Sequence, residues 1–494
     1  MKWPTSDFSE LRWEDFSGGK NSHFPSTQIQ RNEAQDCLNV YSDLRKALVK
    51  RPGYTSYATD GATGITTFWP YNKLDGTTGN YTRYLLKAAG TAVRAWNGSA
   101  WSDVATGLTA GLRYGYAEAN NKSYFANGSD GLKSWDGTAL SAVAGAPPGI
   151  WFIVWHRNRM YAATGKSSRL YFTDLGDPTS WPVLNFIDFD IDDGDKITGL
   201  CSLPDGALLI TKEHSRHLLR GTGPGNYTTL SFRDGVGCVS HWALVAVPEA
   251  NRIAFLDREG VYLTDGVHVQ LISDHVTPDL RAWPQGKIDQ ACMAYFNYHV
   301  HLAVPNGPTD TKNTYLWLWD ERAKGWWPWT IAASHLLNYF DGTSEMLLAS
   351  SGTTGALYQL WKGDNDNGSA INAYWQGKDD DAGQPTRIKR FKRGFATEKA
   401  VDGTHEVTIA WNQDFGGHSS SFTVPVNNGT FPIFDVSAFD NALFVSAQGV
   451  TSGKTMVPAQ SAYVRPEVYQ SGADQPFAIL HLSLETKVTE RRVG

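Results

Sequence analysis

The amino-acid sequence predicts an all-β chain: a β-propeller of six or seven blades, preceded by an extended N-terminal arm and followed by a C-terminal β-sandwich-like domain. Three observations predict it. A phrase of an apolar residue, one or two polar spacers and a turn glycine recurs as Ala95-Trp96-Asn97-Gly98, Ser134-Trp135-Asp136-Gly137 and Leu263-Thr264-Asp265-Gly266, at multiples of about 40 residues, a blade-sized period. Each copy follows a short apolar alternation, and each turn has the Asn-Gly or Asp-Gly chemistry that tight hairpins demand. The composition agrees: 48 Gly, 19 Trp, 21 Tyr and 22 Phe stand beside only 19% charged residues. Aromatic side chains pack well between twisted sheets, and glycine supplies the positive φ between strands.

Taken in order, residues 1–54 read as the arm. Ser17-Gly18-Gly19-Lys20-Asn21 is a turn, Phe24-Pro25 and Arg51-Pro52-Gly53-Tyr54 are rigid punctuation, and residues 33–40 form the one stretch suited to a helical turn. Residues 55–365 carry the blades. Strands are expected at 64–70, 83–88 and 91–96, at 112–116 and 122–135, at 150–156, 159–163 and 169–173, and at 197–203, 207–211 and 217–220. Further ones follow at 243–247, 252–256 and 260–264, at 294–296, 298–303, 314–319 and 326–329, and at 336–339, 346–349 and 355–360. The alternation Tyr315, Trp317, Trp319 excludes a helix here, because it would scatter the aromatics around the axis. A glycine- and aspartate-rich seam at 364–384 opens residues 366–494, whose short strands lack the blade phrase and suggest a sandwich.

The formal net charge of -6 argues against sequence-specific duplex binding; a weakly acidic wall instead lets nucleic acid slide past. Cys37, Cys201, Cys238 and Cys292 have no CxxC spacing and read as buried free thiols. The first residues lack the apolar stretch of a signal peptide and no run reaches membrane-spanning length, so synthesis and folding in cytosol are expected.

Chemistry-bearing constellations are sparse. Asp190, Asp192, Asp193 and Asp195 alternate around a turn glycine in the manner of a calcium loop, but the helical frame and closing Glu are missing, which favours a solvated turn. Aspartates beside glycines, such as Asp136, Asp265 and Asp341, are explained by turn geometry without a glycoside substrate. In Lys212-Glu213-His214-Ser215-Arg216-His217 strand alternation separates His214 from Ser215, so a polar ladder is expected. No HExxH occurs, and residues 221–225 lack the Lys-Ser/Thr of a phosphate loop. Trp326, Trp327 and Trp329 are expected in a core or interface centre in preference to a sugar-stacking platform. Lys389-Arg390-Phe391-Lys392-Arg393 is expected in a salt-bridged interface, against the aspartates at 379–381. No catalytic residue and no cofactor are expected.

The opening segments Gly18-Gly19-Lys20-Asn21, Asn32-Glu33-Ala34-Gln35-Asp36-Cys37-Leu38-Asn39 and Lys50-Arg51-Pro52-Gly53 resemble those of bacteriophage tail hub or nozzle proteins of the short-tailed type. His156 to Ala162, Ser168 to Thr173, Asp177 to Trp181, Gly194 to Leu200 and Gly260 to Tyr262 extend the resemblance. It implies a non-enzymatic virion tail protein, a ring (usually a hexamer) of copies of itself. The ring would join a tail adaptor or portal protein to a fibre or needle protein and let phage DNA through without sequence-specific binding. Assembly would occur in the host cytoplasm. Asn32, Glu33, Asp36, Arg51, Lys389 and Arg390 are then the interface candidates. A host-polysaccharide binding module on the virion surface is the second expectation.

Overall fold

Short alternating runs closed by Asn-Gly and Asp-Gly turns become antiparallel hairpins because the turn residues accept the left-handed conformation that matches strand twist. Gly98, Gly137 and Gly266 adopt φ of 99°, 90° and 100°. The residue before each is equally committed. Asn97 Oδ1 accepts the N–H groups of Ser99 and Ala100, Asp136 Oδ1 those of Thr138 and Ala139, and Asp265 Oδ1 those of Val267 and His268.

The computed structural model describes residues 8–61, 63–399, 405–426, 450–457 and 460–492. The first seven residues, read above for a signal peptide, lie outside the described residues. Seven of the sheets are four-stranded, and the first five are antiparallel throughout. The first comprises Ile65–Leu74, Tyr81–Ala89, Ala92–Trp96 and Trp101–Ala105; the second Gly115–Ala119, Lys122–Ala126, Lys133–Trp135 and Leu140–Ala142. The third comprises Phe152–His156, Arg159–Ala163, Arg169–Phe172 and Phe186–Asp188; the fourth Ile197–Ser202, Leu208–Lys212, Arg216–Arg220 and Thr228–Phe232. Leu244–Val247, Arg252–Leu256, Val261–Thr264 and Val269–Leu271 make the fifth, and Cys292–Phe296, His299–Val304, Tyr315–Asp320 and Trp326–Trp329 the sixth. The seventh joins Leu336–Phe340, Glu345–Ser350 and Leu357–Leu360 to Tyr54–Ala58. Three further sheets have seven, five and two strands.

By internal contacts the chain divides into two compact units, one of residues 1–55, 318–330 and 361–494, the other of residues 56–317 and 331–360. In the second unit, from the second sheet onward, the first strand of each sheet lies against the first strand of the next, and Leu336–Phe340 lies against Ile65–Leu74. Large aromatics fill the space between sheets. Trp69 stacks on Tyr114 and Tyr116 at 5.9 and 5.7 Å between ring centres, and its indole N–H donates to Ser123 Oγ at 3.1 Å. An indole can be buried this fully because its one polar atom has a partner.

The first unit is built from long-range pairing. Ser9–Trp13 is antiparallel to Ala478–Arg492, with Ser9 opposite Thr486 and Trp13 opposite Leu482. Asp36–Leu38 pairs with Ala373–Gln376, placing Cys37 opposite Trp375. Val40–Ser42 pairs with Leu48–Lys50, whose Leu48 lies opposite Ile479. Trp13 meets Trp411 at 5.6 Å and Phe16 meets Trp375 edge-on at 5.2 Å. The Lys50-Arg51-Pro52-Gly53 turn is required by close approach: a Cβ on Gly53 would stand 1.8 Å from the Asn365 carbonyl oxygen.

These findings correct the expected architecture. The predicted β-propeller of six or seven blades, with an extended arm and a separate β-sandwich-like domain, gives way, among the described residues, to an all-β assembly of ten separate open sheets, none closed on itself. The N-terminal segment is no arm, since Ser9–Trp13, Asp36–Leu38 and Leu48–Lys50 are members of sheets shared with the C-terminal residues. Residues 33–40 form strand instead of a helical turn. The physical reason is common to all three: alternation and turn chemistry specify hairpins, whereas which hairpins share a sheet depends on partners hundreds of residues away.

Candidate ligand-binding cavity

The first strands of sheets two to seven position a cavity of about 440 Å³ inside the second unit. Tyr116, Ile153, Leu200, Val245, Ala294 and Leu337 each come from a different one of those strands. The pleat explains the wall. In the short strands Gly115–Ala119, Phe152–His156 and Leu244–Val247, alternate residues face opposite sides, so both faces need small or apolar side chains where sheets crowd together.

Polar groups enter the wall at the strand starts. His241 opens a 3-10 turn, His241–Ala243, just ahead of the fifth sheet, and His335 directly precedes the seventh. The His241 Nδ1 accepts the Leu200 N–H at 3.3 Å, so the neutral ring carries its proton on Nε2. Phe152 packs against the His241 ring at 5.0 Å. His335 is 4% exposed, packs edge-on against Phe68 at 5.2 Å, and neither of its ring nitrogens meets a hydrogen-bond partner among the described residues. It senses the Phe68 backbone only from outside bonding geometry.

Burial sets the protonation of this wall. It pushes His241 down to about 4 and His335 to about 3, the latter helped by the positive charge of Arg113, so both are neutral imidazoles at pH 7. Burial also holds the Cys201 thiol at about 12, far from a reactive thiolate, and Tyr116 at about 12. Among the described residues the wall carries no Asp, Glu, Lys or Arg side chain. The cavity can hold an apolar body beside the His241 ring, whose Nε2–H is not taken by the Leu200 contact. It has no acid and base pair poised for proton transfer.

Arg113 stands behind the wall. Its guanidinium lies over the Trp242 ring at 4.9 Å and donates to the carbonyls of Ser334 at 2.9 Å, Ala291 at 3.2 Å and Asp289 at 3.5 Å, as well as to that of Gln290.

The residues singled out from sequence lie elsewhere. Asp190 pairs with Arg233, Asp193 holds Lys212 Nζ at 2.7 Å, and Asp195 accepts the backbone N–H groups of Glu213 and His214. Asp192 is exposed. Among the described residues no three His, Cys, Asp or Glu side chains are arranged to hold a metal ion. Calcium titrated calorimetrically to millimolar concentration is expected to give no binding heat; a saturable heat would return these carboxylates to metal binding. Within Lys212 to His217, Glu213 pairs with Arg258 at 2.5 Å, Arg216 with Asp234 at 2.6 Å, and His217 with Ser231 at 2.9 Å, a set of structural polar contacts.

The interface candidates are used inside the first unit. Glu33 accepts from Asn21 Nδ2 and the Gln30 N–H, Asp36 pairs with Lys20 and accepts from the Tyr374 hydroxyl, and Arg51 is fully buried on Asp366. Lys389 is buried and donates to the carbonyls of Gln384 and Ala462; Asn32 is half-buried and Arg390 exposed. The aspartates expected opposite Lys389 take other partners, Asp380 with Arg31 and Asp379 with Arg465 at 3.5 Å. Cys37, Cys238 and Cys292 are buried, Cys201 is half-buried, and all four are unbridged. Sequence inspection missed His241, His335 and Arg113. The signal that was there is slight: a lone histidine just ahead of an apolar first strand, at 241 and again at 335.

No family model and no curated protein matches the chain. Solved structures match only distantly. The extracellular domain of a hybrid two-component system from B. thetaiotaomicron is 13% identical at a TM-score of 0.35, over 54% of this chain and 44% of its own. The chain thus spans less than half of that protein. BBS1N, crystallised in complex with ARL6DN, is 13% identical at a TM-score of 0.41, over 63% of this chain and 97% of its own. PorZ, a surface component of the type-IX secretion system of Porphyromonas gingivalis, is 13% identical at 0.39, over 70% and 58%.

The resemblance to phage tail hub or nozzle proteins is therefore withdrawn, with the short-tailed virion, hexameric ring and genome-ejection conduit it implied. No matched protein supports a phage identity. The motifs that carried it have a local explanation: Gly19, at φ 71°, lets the backbone pass Trp326, where a Cβ would stand 2.5 Å from the Trp326 nitrogen. Such packing is needed whatever the chain's role. The polysaccharide platform is corrected as well, since Trp326, Trp327 and Trp329 are each 1% exposed and offer no stacking face.

Proposed function

We propose that the chain is a non-catalytic binding protein whose second unit takes a small, largely apolar ligand into the first-strand cavity. The observation that carries this is the cavity itself, about 440 Å³ walled by the aliphatic side chains of Ile153, Leu200, Val245 and Leu337 with the neutral His241 ring among them. The cavity volume lies within the range of small-molecule sites, and its mixture of aliphatic walls with a few polar groups is what such sites use.

N-phenyl-1-naphthylamine, a neutral probe that fluoresces in apolar surroundings, tests the reading. Saturable binding of one probe per chain is expected, and Val245→Trp, which fills the cavity from one strand, is expected to weaken it at least tenfold while leaving the unfolding transition in place. Absence of saturable binding, or a Val245→Trp variant that binds as the parent does, removes the cavity as a site.

A further inference from the structure

Five Asn-Gly steps punctuate the sequence, at Asn97, Asn127, Asn306, Asn367 and Asn428, of which the last lies outside the described residues. Each sets a side-chain amide carbon beside the main-chain nitrogen of the next residue, and glycine has no Cβ to obstruct their approach. Attack by that nitrogen requires the loss of its proton, so a glycine N–H held by an acceptor is withdrawn from the reaction. The fold sorts the four described steps on this one property.

The Gly128 N–H donates to the Ile150 carbonyl at 2.8 Å, the Gly307 N–H to Asp310 Oδ2 at 2.8 Å, and the Gly368 N–H to Asn365 Oδ1. Two of their asparagines are held as well. Asn127 is 1% exposed and its Nδ2 donates to the Tyr114 hydroxyl and to Asp130, while Asn306 Oδ1 accepts the indole N–H groups of Trp283 and Trp317. Asn97 is different. It is exposed at the tip of the hairpin joining Ala92–Trp96 to Trp101–Ala105, and a Cβ on Gly98 would meet open space. Among the described residues the Gly98 N–H has no acceptor.

The turn also prepares the carbon. Asn97 Oδ1 accepts the Ser99 N–H, the Ser99 hydroxyl and the Ala100 N–H, each at 3.0 Å. Those donors point at the atom on which negative charge gathers when a nitrogen adds to the amide, the arrangement that lowers the barrier to tetrahedral addition. Nδ2, the leaving group, makes no hydrogen bond among the described residues.

We propose that the fold singles out Asn97 as a site of spontaneous covalent modification, which converts it to aspartate and isoaspartate through a succinimide closed by Gly98. The Gly98 nitrogen gives its proton to hydroxide and bonds to Asn97 Cγ, the Cγ–Nδ2 bond breaks, and Nδ2 leaves as ammonia with a proton from water. Water then opens the ring at either carbonyl, so one amide and one water become one carboxylate and one ammonium, with no change of oxidation state. The two products differ in what they do to the turn. Aspartate keeps it, as Asp136 does by accepting the N–H groups of Thr138 and Ala139 in the corresponding turn. Isoaspartate inserts a methylene into the main chain, and the Trp96–Trp101 pair that closes the hairpin, 5.5 Å between ring centres, loses its register.

Tryptic mass mapping of the full chain, held folded in buffer at pH 8, is the test. The peptide containing Asn97 is expected to take the mass of the acid at least tenfold faster than those containing Asn127, Asn306 or Asn367. Its rate is expected to rise with hydroxide, and part of the product is expected to accept a methyl group from protein isoaspartate methyltransferase. Asn97→Gln, whose longer side chain closes a five-membered ring no more, is expected to slow conversion in that peptide at least tenfold. In guanidinium chloride the four steps are expected to convert at similar rates, because unfolding frees every glycine N–H. An Asn97 peptide that stays intact, or four steps converting alike in the folded chain, overturns the proposal. So does a lead for Asn97 that persists in guanidinium chloride, which assigns the difference to neighbouring residues instead of the fold.

Discussion

Glu398→Gln is expected to stabilise the protein at pH 8.5 by on the order of 4 kcal/mol, and to remove most of its loss of stability between pH 5 and pH 8. Glu398 sits in the strand Arg387–Lys399, is 0% exposed, and neither carboxyl oxygen has a hydrogen-bond partner among the described residues. The Ala478 amide is close enough to be felt but lies outside bonding geometry. Burial therefore raises the carboxyl from 4.5 to about 8.

The sign follows from proton counting. Below pH 4.5 the folded and unfolded chains both hold the proton and no penalty arises. Between 4.5 and about 8 the unfolded chain releases it while the folded chain keeps it, so stability falls with each pH unit and levels off above the folded value. Glutamine holds the shape without the charge. On the acid side the order reverses: His217 and His241, lowered to about 4 by burial, and His335 near 3 withdraw stability as pH falls through 6.5, and Glu398→Gln leaves that limb alone. Urea unfolding at pH 5 and 8.5 checks both statements. Parallel losses in parent and variant over that interval would mean that Glu398 reaches solvent or a partner.

Arg51→Ala is expected to destabilise the first unit by about 3–5 kcal/mol, the range for breaking a buried ion pair from one side. The Arg51 side chain is fully buried; its two terminal nitrogens donate to Asp366 at 2.8 and 2.6 Å, and its Nε donates to Asn39 Oδ1 at 2.7 Å. Asn39 relays the contact, accepting the Thr330 N–H at 2.8 Å and donating to the Asn372 carbonyl at 2.7 Å. Removing the guanidinium strands the Asp366 carboxylate, which is only 13% exposed. Arg51→Lys keeps the charge but loses the two-pronged geometry, and is expected to recover no more than half. The double variant Arg51→Met/Asp366→Leu is expected to recover most of the loss, because it removes both charges together. Thermal unfolding of the three variants decides. An Arg51→Ala chain as stable as the parent would put Arg51 back among interface residues; a double variant as weak as the single one would show that Asn39 and its neighbours carry the energy.

How much was legible in the sequence can be judged from these same residues. The Asn97-Gly98 and Asp136-Gly137 turns were readable because a short acceptor followed by glycine determines its own backbone within four residues. The strand Tyr315–Asp320 was readable because two-residue alternation admits no helix. Arg51 was noticed for its place in a Lys-Arg-Pro-Gly turn, but its partner Asp366 lies 315 positions away, and nothing local announces such a pair. The cavity was opaque for the same reason. Its histidines and Arg113 lie in the connections ahead of three separate sheets, and each alone resembles an ordinary surface or core residue.

By itself the sequence determined that this protein is made of short antiparallel strands closed by glycine turns. Those properties arise from interactions among residues a few positions apart, which are present as soon as the chain exists. Only the tertiary structure decided that Ser9–Trp13, Asp36–Leu38 and Leu48–Lys50 are built into sheets with C-terminal strands, and that six first strands leave a cavity lined in part by His241 and His335. Both depend on which apolar faces exclude water together, and that is set by partners distant in the chain, beyond the reach of any local pattern.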